Sequence, residues 1–426
     1  MRTLLAMVVA AYGYAEVVLA GPMDFEPIPH SAYQESTIDP AILNSEPWLL
    51  PAGYRQEIVS DETGLNLYVR NDRPYRITGS ASSPYLYRIH KRYLNHSDDL
   101  LRDGRQGGAV SVIDLASGQT RELIWRQDWE ELGGLFRTPW GSLLVAEETD
   151  LQHRPDPQYP EVTRGLVYEL QFNPNEPTVV AEATARPVLG ALRHEGIETD
   201  AKGNVYLANS YGEGYLYKFV PKKRGDLSRG KLYALRVENH ARTGRAKWVL
   251  LSRERARIDA IEAARAVRAT PFGHPEDLQR IGKVLYVALK YEPKVADVSG
   301  SGAVMALTLG AKPRIRYFVK AGENVPAEDK ANDVTGLFRP ADLALGPDGR
   351  LWIAEDNHPS DIWVASTQTD GSGLSTDVRL FASLKDEGAV GNGLYFGPDL
   401  YTLYVNILDS ATGNDKTVAI HDERPR

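Results

Sequence analysis

A chain of 426 residues with 49 Lys and Arg against 57 Asp and Glu has a formal charge of −8, which offers no basic surface to nucleic acid. There is no cysteine, so disulfides, thiolate catalysis and iron–sulfur ligation are excluded. A length that ordinarily divides into several domains suits one domain only where a core is built by repetition.

In chain order, residues 1–20 join Arg2 to an apolar run that ends in Ala20 before Gly21, the pattern of a secretory signal peptide. Glu16 interrupts that run and its length is marginal for a bilayer, so no stable membrane anchor is expected after cleavage and the protein is expected to be periplasmic or secreted. Residues 21–50 contain Pro22, Pro27, Pro29, Pro40 and Pro47 and read as an N-terminal arm laid over the fold. From 51 to 426 the pattern is that of one domain of short strands. Residues 85–89 and 110–114 alternate as strands, with a turn at Ser117-Gly118.

Residues 194–221 contain the unit that the rest of the chain repeats. Glu195 opens a strand, Gly203 turns it, 205–208 form a second strand, Gly212 and Gly214 turn again, and 216–220 close the unit. The same phrase returns at Glu276-Asp277-Leu278, at Ala341-Asp342-Leu343 and at Asn392-Gly393-Leu394, and its second half appears at 141–147. Units too poor in apolar surface to stand alone suit the blades of an all-β propeller, for which six blades is the favoured count. The first strand of each blade then lines the axis. Glu195, Glu276, Ala341 and Asn392 are expected to ring one mouth of the channel, with Glu147, Asn209, Glu355 and Asn406 at the ends of second strands close by. Converging oxygen ligands call for a cation and favour calcium or another hard metal; residues that merely begin and end strands at wet turns are the plainer alternative.

Residues 252–267 break the strand pattern. They are rich in helix formers, and Ile258, Ile261, Ala264 and Val267 share one face, so a helical insertion is expected here, a candidate lid whose arginines form a solvated face. No nucleotide-phosphate loop, G-x-S-x-G elbow or His-Glu-x-x-His motif is present.

Taken as a set and in order, TPWGSLLVAEE (138–148), RGLVYEL (164–170), HEGIETDAKGNVYL (194–207), GYLYKFVP (214–221), AVRATPFGHPEDL (266–278) and FRPADLALGPDGRLWIAED (338–356) resemble the PhoX-type alkaline phosphatases over about residues 50 to 360. The resemblance implies a six-bladed propeller, export, and a calcium-dependent phosphomonoesterase whose channel mouth holds iron and calcium. Carried onto this chain, the metal-binding glutamates fall on Glu195 and Glu276, with Glu147 and Glu148 in the family's acidic pair. Ala146 stands where the family has a cysteine bridging to iron, so iron is expected only if the centre forms without that ligand. His274 stands where an arginine suited to phosphate is usual, and Ala341 and Asn209 replace acidic residues. The expectation is a metal-dependent hydrolase of small phosphate esters, with His274 and His194 as candidates to contact phosphate or protonate a leaving oxygen. Two other readings stay open. A calcium-only, lactonase-like hydrolase suits Asn209, Asn392 and Asn406, and a catalytically inactive ligand-binding propeller suits Ala146 and Ala341.

Overall fold

The computed structural model describes residues 25–32, 38–65, 67, 72–80, 83–91, 101, 103–149, 153–210, 213–292, 301–325 and 336–424; the expected signal peptide lies outside them. Among these residues the strands form six antiparallel units, and the fold is an all-β propeller. The first strands of the units, in chain order, are Pro74–Ser80, Leu132–Arg137, His194–Thr199, Pro275–Ile281, Pro340–Leu345 and Val390–Phe396. Each lies against the next, and the sixth lies against the first, so the ring closes around an axis. Units 1 to 5 take their strands from consecutive sequence. Unit 6 borrows Tyr54–Asp61, which pairs with Lys416–Asp422 and completes a four-stranded sheet.

Stacking explains the sequence of the second strands. A sheet covered on both faces by neighbouring units needs apolar residues on both, and so Leu143–Glu147 and Leu351–Glu355 are buried along their whole length instead of alternating. The cores sit between units: Leu144 and Val167 of unit 2 pack with Leu207 and Tyr217 of unit 3. Each such side chain contributes roughly 1.5–3 kcal/mol through burial.

One irregularity recurs. In all six units the pairing of the first strand with the second slips near the start of the first strand, between Pro74 and Ile77, Leu132 and Gly134, His194 and Ile197, Pro275 and Leu278, Pro340 and Asp342, and Asn392 and Tyr395. A bulge bends the strand and re-aims side chains. Here six bulges at one level turn consecutive residues of every inner strand toward the axis. Register also aligns Gly393, and not Asn392, with Glu195 and Glu276.

Outside the ring, Trp48–Leu49 adds a strand to unit 5, and Ser31 donates from Oγ to Asp361 Oδ2 at 2.6 Å. The expected helix at 252–267 is two short ones, Arg253–Ala256 and Ala260–Ala266. The break falls where Asp259 leaves helical geometry to accept a hydrogen bond from the Glu262 N–H at 2.8 Å. Ile258, expected on the apolar face, lies in that break and is 48% exposed, whereas Ala260, Ile261 and Ala264 pack on the core between units 2 and 3. None of this insertion borders the cavity at the channel mouth.

Candidate active site at the channel mouth

Two positions in each unit converge at one end of the axis. The first is the bulged residue of the inner strand: Tyr75, Gly133, Glu195, Glu276, Ala341 and Gly393 in units 1 to 6. The second is the residue one past the partner of the strand's opening residue: Lys91, Glu148, Ser210, Lys290 and Asp356 in units 1 to 5. Of these, Tyr75, Ala341, Lys91, Glu148, Lys290 and Asp356 border a cavity of about 280 Å³, which His274, Asp342 and Asn392 also reach, with the Arg73–Asp409 ion pair at its rim; Glu195 and Glu276 are buried and do not line it.

Close approach of neighbouring backbones makes this convergence possible. A Cβ on Gly196 would lie 2.7 Å from the Glu276 carbonyl oxygen, and one on Gly393 would lie 2.7 Å from the Tyr75 carbonyl oxygen. Only glycine lets inner strands of adjacent units touch at these points.

Acids and cations meet in pairs around the mouth. The Lys91 ammonium contacts Glu148 Oε2, lies 3.4 Å from Glu195 Oε1 and sits 4.2 Å from the centre of the Tyr75 ring. Glu148 also accepts from Ser210 Oγ at 2.7 Å and from Arg193 Nη2 at 3.1 Å. Lys290 lies 3.0 Å from Glu276 Oε1 and 2.6 Å from Asp356 Oδ2. His274 Nε2 is 2.9 Å from Glu276 Oε1, with its ring packed edge-on against Tyr291. Below the mouth, Arg76 reaches from unit 1 to Glu195, Asp277 and Asp342 of units 3, 4 and 5.

Burial in this cluster splits the acids. Burial and the neighbouring Glu148 charge push Glu195 well above the usual carboxylate range. Burial acts on Glu148 in the same direction, but the charges of Lys91 and Arg193 outweigh it and hold it low. Glu276 is held down to about 2: burial opposes ionisation there, and Lys290 and His274 overcome it. Asp342 rises to about 6, chiefly through burial, which the Arg76 charge only partly offsets. Six carboxyl groups (Glu148, Glu195, Glu276, Asp277, Asp342, Asp356) thus face four side-chain cations (Arg76, Lys91, Arg193, Lys290), and burial inclines Glu195, Asp277 and Asp342 to keep their protons. Among the described residues no three or more His, Asp and Glu side chains are grouped to hold a metal ion.

Of the residues singled out in the sequence, Glu148, Glu195, Glu276 and His274 come together here. Glu147 and His194 do not. Glu147 is fully buried and accepts backbone hydrogen bonds from Glu130, Gly165 and Leu166 at 3.0–3.1 Å; burial pushes its carboxyl up to about 8 against those bonds. His194 is also fully buried, with Nε2 3.2 Å from the Gly190 carbonyl oxygen, and burial lowers it to about 4. Asn209, Glu355 and Asn406 share Glu147's role. Asn209 accepts from the Tyr215 N–H, Glu355 from the Phe338 N–H and the Trp363 indole, and Asn406 donates to the Tyr75 carbonyl oxygen and accepts from Thr417. That position ties loops and strands together, and the one after it faces the mouth. Lys290 and Asp356 escape a sequence reading for this reason; the repeat contains their signal, one residue further on. Lys91 and Arg76 have no such signal, because unit 1 lacks the repeated phrase.

Three comparisons bear on this geometry. The family model for alkaline phosphatase PhoX matches residues 133–410, well over half of the chain. Among solved structures, Pseudomonas fluorescens PhoX in complex with vanadate, a transition state analogue, is similar with a TM-score of 0.64 at 16% identity, over 95% of this chain and 98% of that one. A putative 6-phosphogluconolactonase from Bacteroides uniformis gives 0.45 at 12% identity over 82% and 88%, and Kuenenia stuttgartiensis hydrazine synthase gives 0.41 at 13% over 82% and 96%. A search of curated protein sequences gave no match. The extent of the PhoX match, on a propeller whose mouth gathers Glu148, Glu195, Glu276 and His274, means that the chain belongs to the alkaline phosphatase PhoX family.

Proposed function

We propose that this chain is an exported phosphoesterase that hydrolyses small phosphate esters in the channel-mouth cavity. The observation that carries the reading is the placement of Lys91, Lys290 and His274 around one cavity over Glu148, Glu195 and Glu276 in a member of the PhoX family. Export rests on the signal-peptide pattern of residues 1–20. Among the described residues no helix is long and apolar enough to cross a membrane.

The residues do not fit a multinuclear iron and calcium centre. Ala146 is fully buried where the family cysteine would stand, and Lys91, Lys290 and Arg76 already occupy the faces of the carboxylates that several metal ions would need. A single hard divalent cation has one candidate anchor, Glu276: neither of its oxygens has a hydrogen-bonding partner, its contacts with His274 and Lys290 being ion pairs without hydrogen-bond geometry. A phosphate ester would add further negative charge to this cavity. Calcium held at Glu276 would neutralise it and polarise the phosphoryl oxygens.

The protein's own groups supply the rest. Lys91 and Lys290 direct ammonium groups at the non-bridging oxygens, each held by two carboxylates. His274, oriented through Nε2 by Glu276, presents Nδ1 to the leaving oxygen. Water attacks phosphorus, the bond from phosphorus to the ester oxygen breaks, and His274 supplies the proton that the leaving oxygen takes. Glu148, held ionised, orients the water, whose proton passes to solvent as the bond to phosphorus forms. His194 has no part in this. The lactonase-like reading loses the support of Asn209 and Asn406, which are committed to the backbone.

The test is turnover of p-nitrophenyl phosphate by the exported protein after chelation and after calcium is restored. Activity lost on chelation and regained with one calcium per chain is the expected result, with His274→Ala lowering kcat by about 10²-fold or more. Unimpaired turnover in chelator would sink the metal assignment. Absence of turnover in every condition would put the ligand-binding reading first.

A further inference from the structure

We infer that Arg76 is a built-in counter-ion for three carboxylates that meet beneath the cavity, and that it positions Glu195 for the mouth above. Arg76 is 6% exposed and follows Tyr75, so the bulge that aims Tyr75 at the cavity sends Arg76 across the channel. Its Nη2 lies 3.0 Å from Glu195 Oε2 and its Nη1 3.2 Å from Asp277 Oδ2, and Nη1 also contacts Asp342 Oδ1. Three carboxylates from three units meet there on a group from a fourth. Without the guanidinium they would be a set of hard oxygen donors with no cation. A guanidinium suits the place because its planar fork offers several N–H groups at fixed angles and keeps its charge when buried. Arg76 Nε has no hydrogen-bonding partner, so the fork is turned wholly toward the acids.

The guanidinium acts in two ways. It neutralises the three carboxylates beneath the cavity, and it fixes one oxygen of Glu195 while Tyr75 donates to the other at 3.2 Å. The wild-type protein therefore takes up no calcium at Glu195 Oε2, Asp277 and Asp342. Arg76→Ala should create that site. The counter-ion role of Arg76 is independent of the phosphoesterase reading.

The experiment is calcium titration of the full exported protein and of Arg76→Ala by calorimetry, with melting curves in calcium and in EDTA. The variant is expected to bind one calcium more per chain than wild type and to melt several degrees higher in calcium than in EDTA. Equal stoichiometry in the two proteins would overturn the inference. Should the variant fold only when calcium is supplied, that dependence is itself the gain predicted. Asp342→Asn supplies a second check in a conservative background: its calcium content should equal that of wild type, and a lost calcium would show that Asp342 ligates metal, contrary to the inference. A wild type without calcium whose Arg76→Ala variant gains one would overturn the metal assignment in the proposed function and leave Arg76 in its role; a calcium-bearing wild type whose variant gains none would do the reverse.

Discussion

At the scale of single residues, this propeller separates acids that hold the fold from acids that face the mouth, and their surroundings tell them apart. Glu198 belongs to the first group. It is 7% exposed and accepts from the Thr199 N–H at 2.6 Å and the Arg280 N–H at 2.8 Å. Burial raises its carboxyl from 4.5 to about 7. A raised folded-state value means that the unfolded chain gives up this proton first, so stability is complete below about pH 4.5 and declines as pH rises through 7. The decline from this one group amounts to about 3 kcal/mol. Glu198→Gln should flatten that part of the slope, so melting temperatures at pH 5 and pH 8 should differ less in the variant than in wild type. An unchanged difference would remove Glu198 from the account.

At the scale of elements, the recurring bulge and the glycines beside it connect sequence to site. Gly196 follows Glu195 immediately, and a Cβ there would meet Glu276 O and Leu278 N, both at 2.7 Å. Units 3 and 4 would have to separate. Gly196→Ala should therefore cost about 1–3 kcal/mol and move Glu195 from Arg76 and Lys91, lowering turnover as well as melting temperature. Gly371 is the control, since nothing lies within 4 Å of its Cβ position; Gly371→Ala should leave both unchanged. Equal effects from the two substitutions would mean that the close approach of the inner strands does not matter. The elements also show where sequence reading stops. Glu195 and Glu276 are legible because they open strands in a repeated phrase. Lys91 and Arg76 are not, because unit 1 lacks that phrase and a bulge cannot be read from alternation.

At the scale of the whole molecule, closure is what keeps six inner strands at one axis. Unit 6 is completed by Tyr54–Asp61, which comes from before unit 1 in the chain and pairs along its length with Lys416–Asp422. Deleting residues 54–61 would leave Lys416–Asp422 as an open edge with unpaired backbone groups. Size-exclusion chromatography should then show aggregation, and the melting transition should broaden. A monomer that melts as sharply as wild type would show that the ring needs no such clasp.

The sequence by itself determined the all-β propeller, the repeated unit and the placing of Glu195 and Glu276 at the starts of inner strands, because turn residues, apolar runs and motif spacing are local properties that each stretch of chain expresses alone; Glu148 and His274 were legible only through the family's motifs. Tertiary structure alone decided that Glu147 and His194 turn inward to the backbone, that Lys91 and Lys290 neutralise the acids, and that Arg76 spans the channel. Those outcomes depend on which side chain a bulge aims at the axis and on which opposite charge arrives from another unit, as when Arg76 meets Asp342, 266 residues away along the chain.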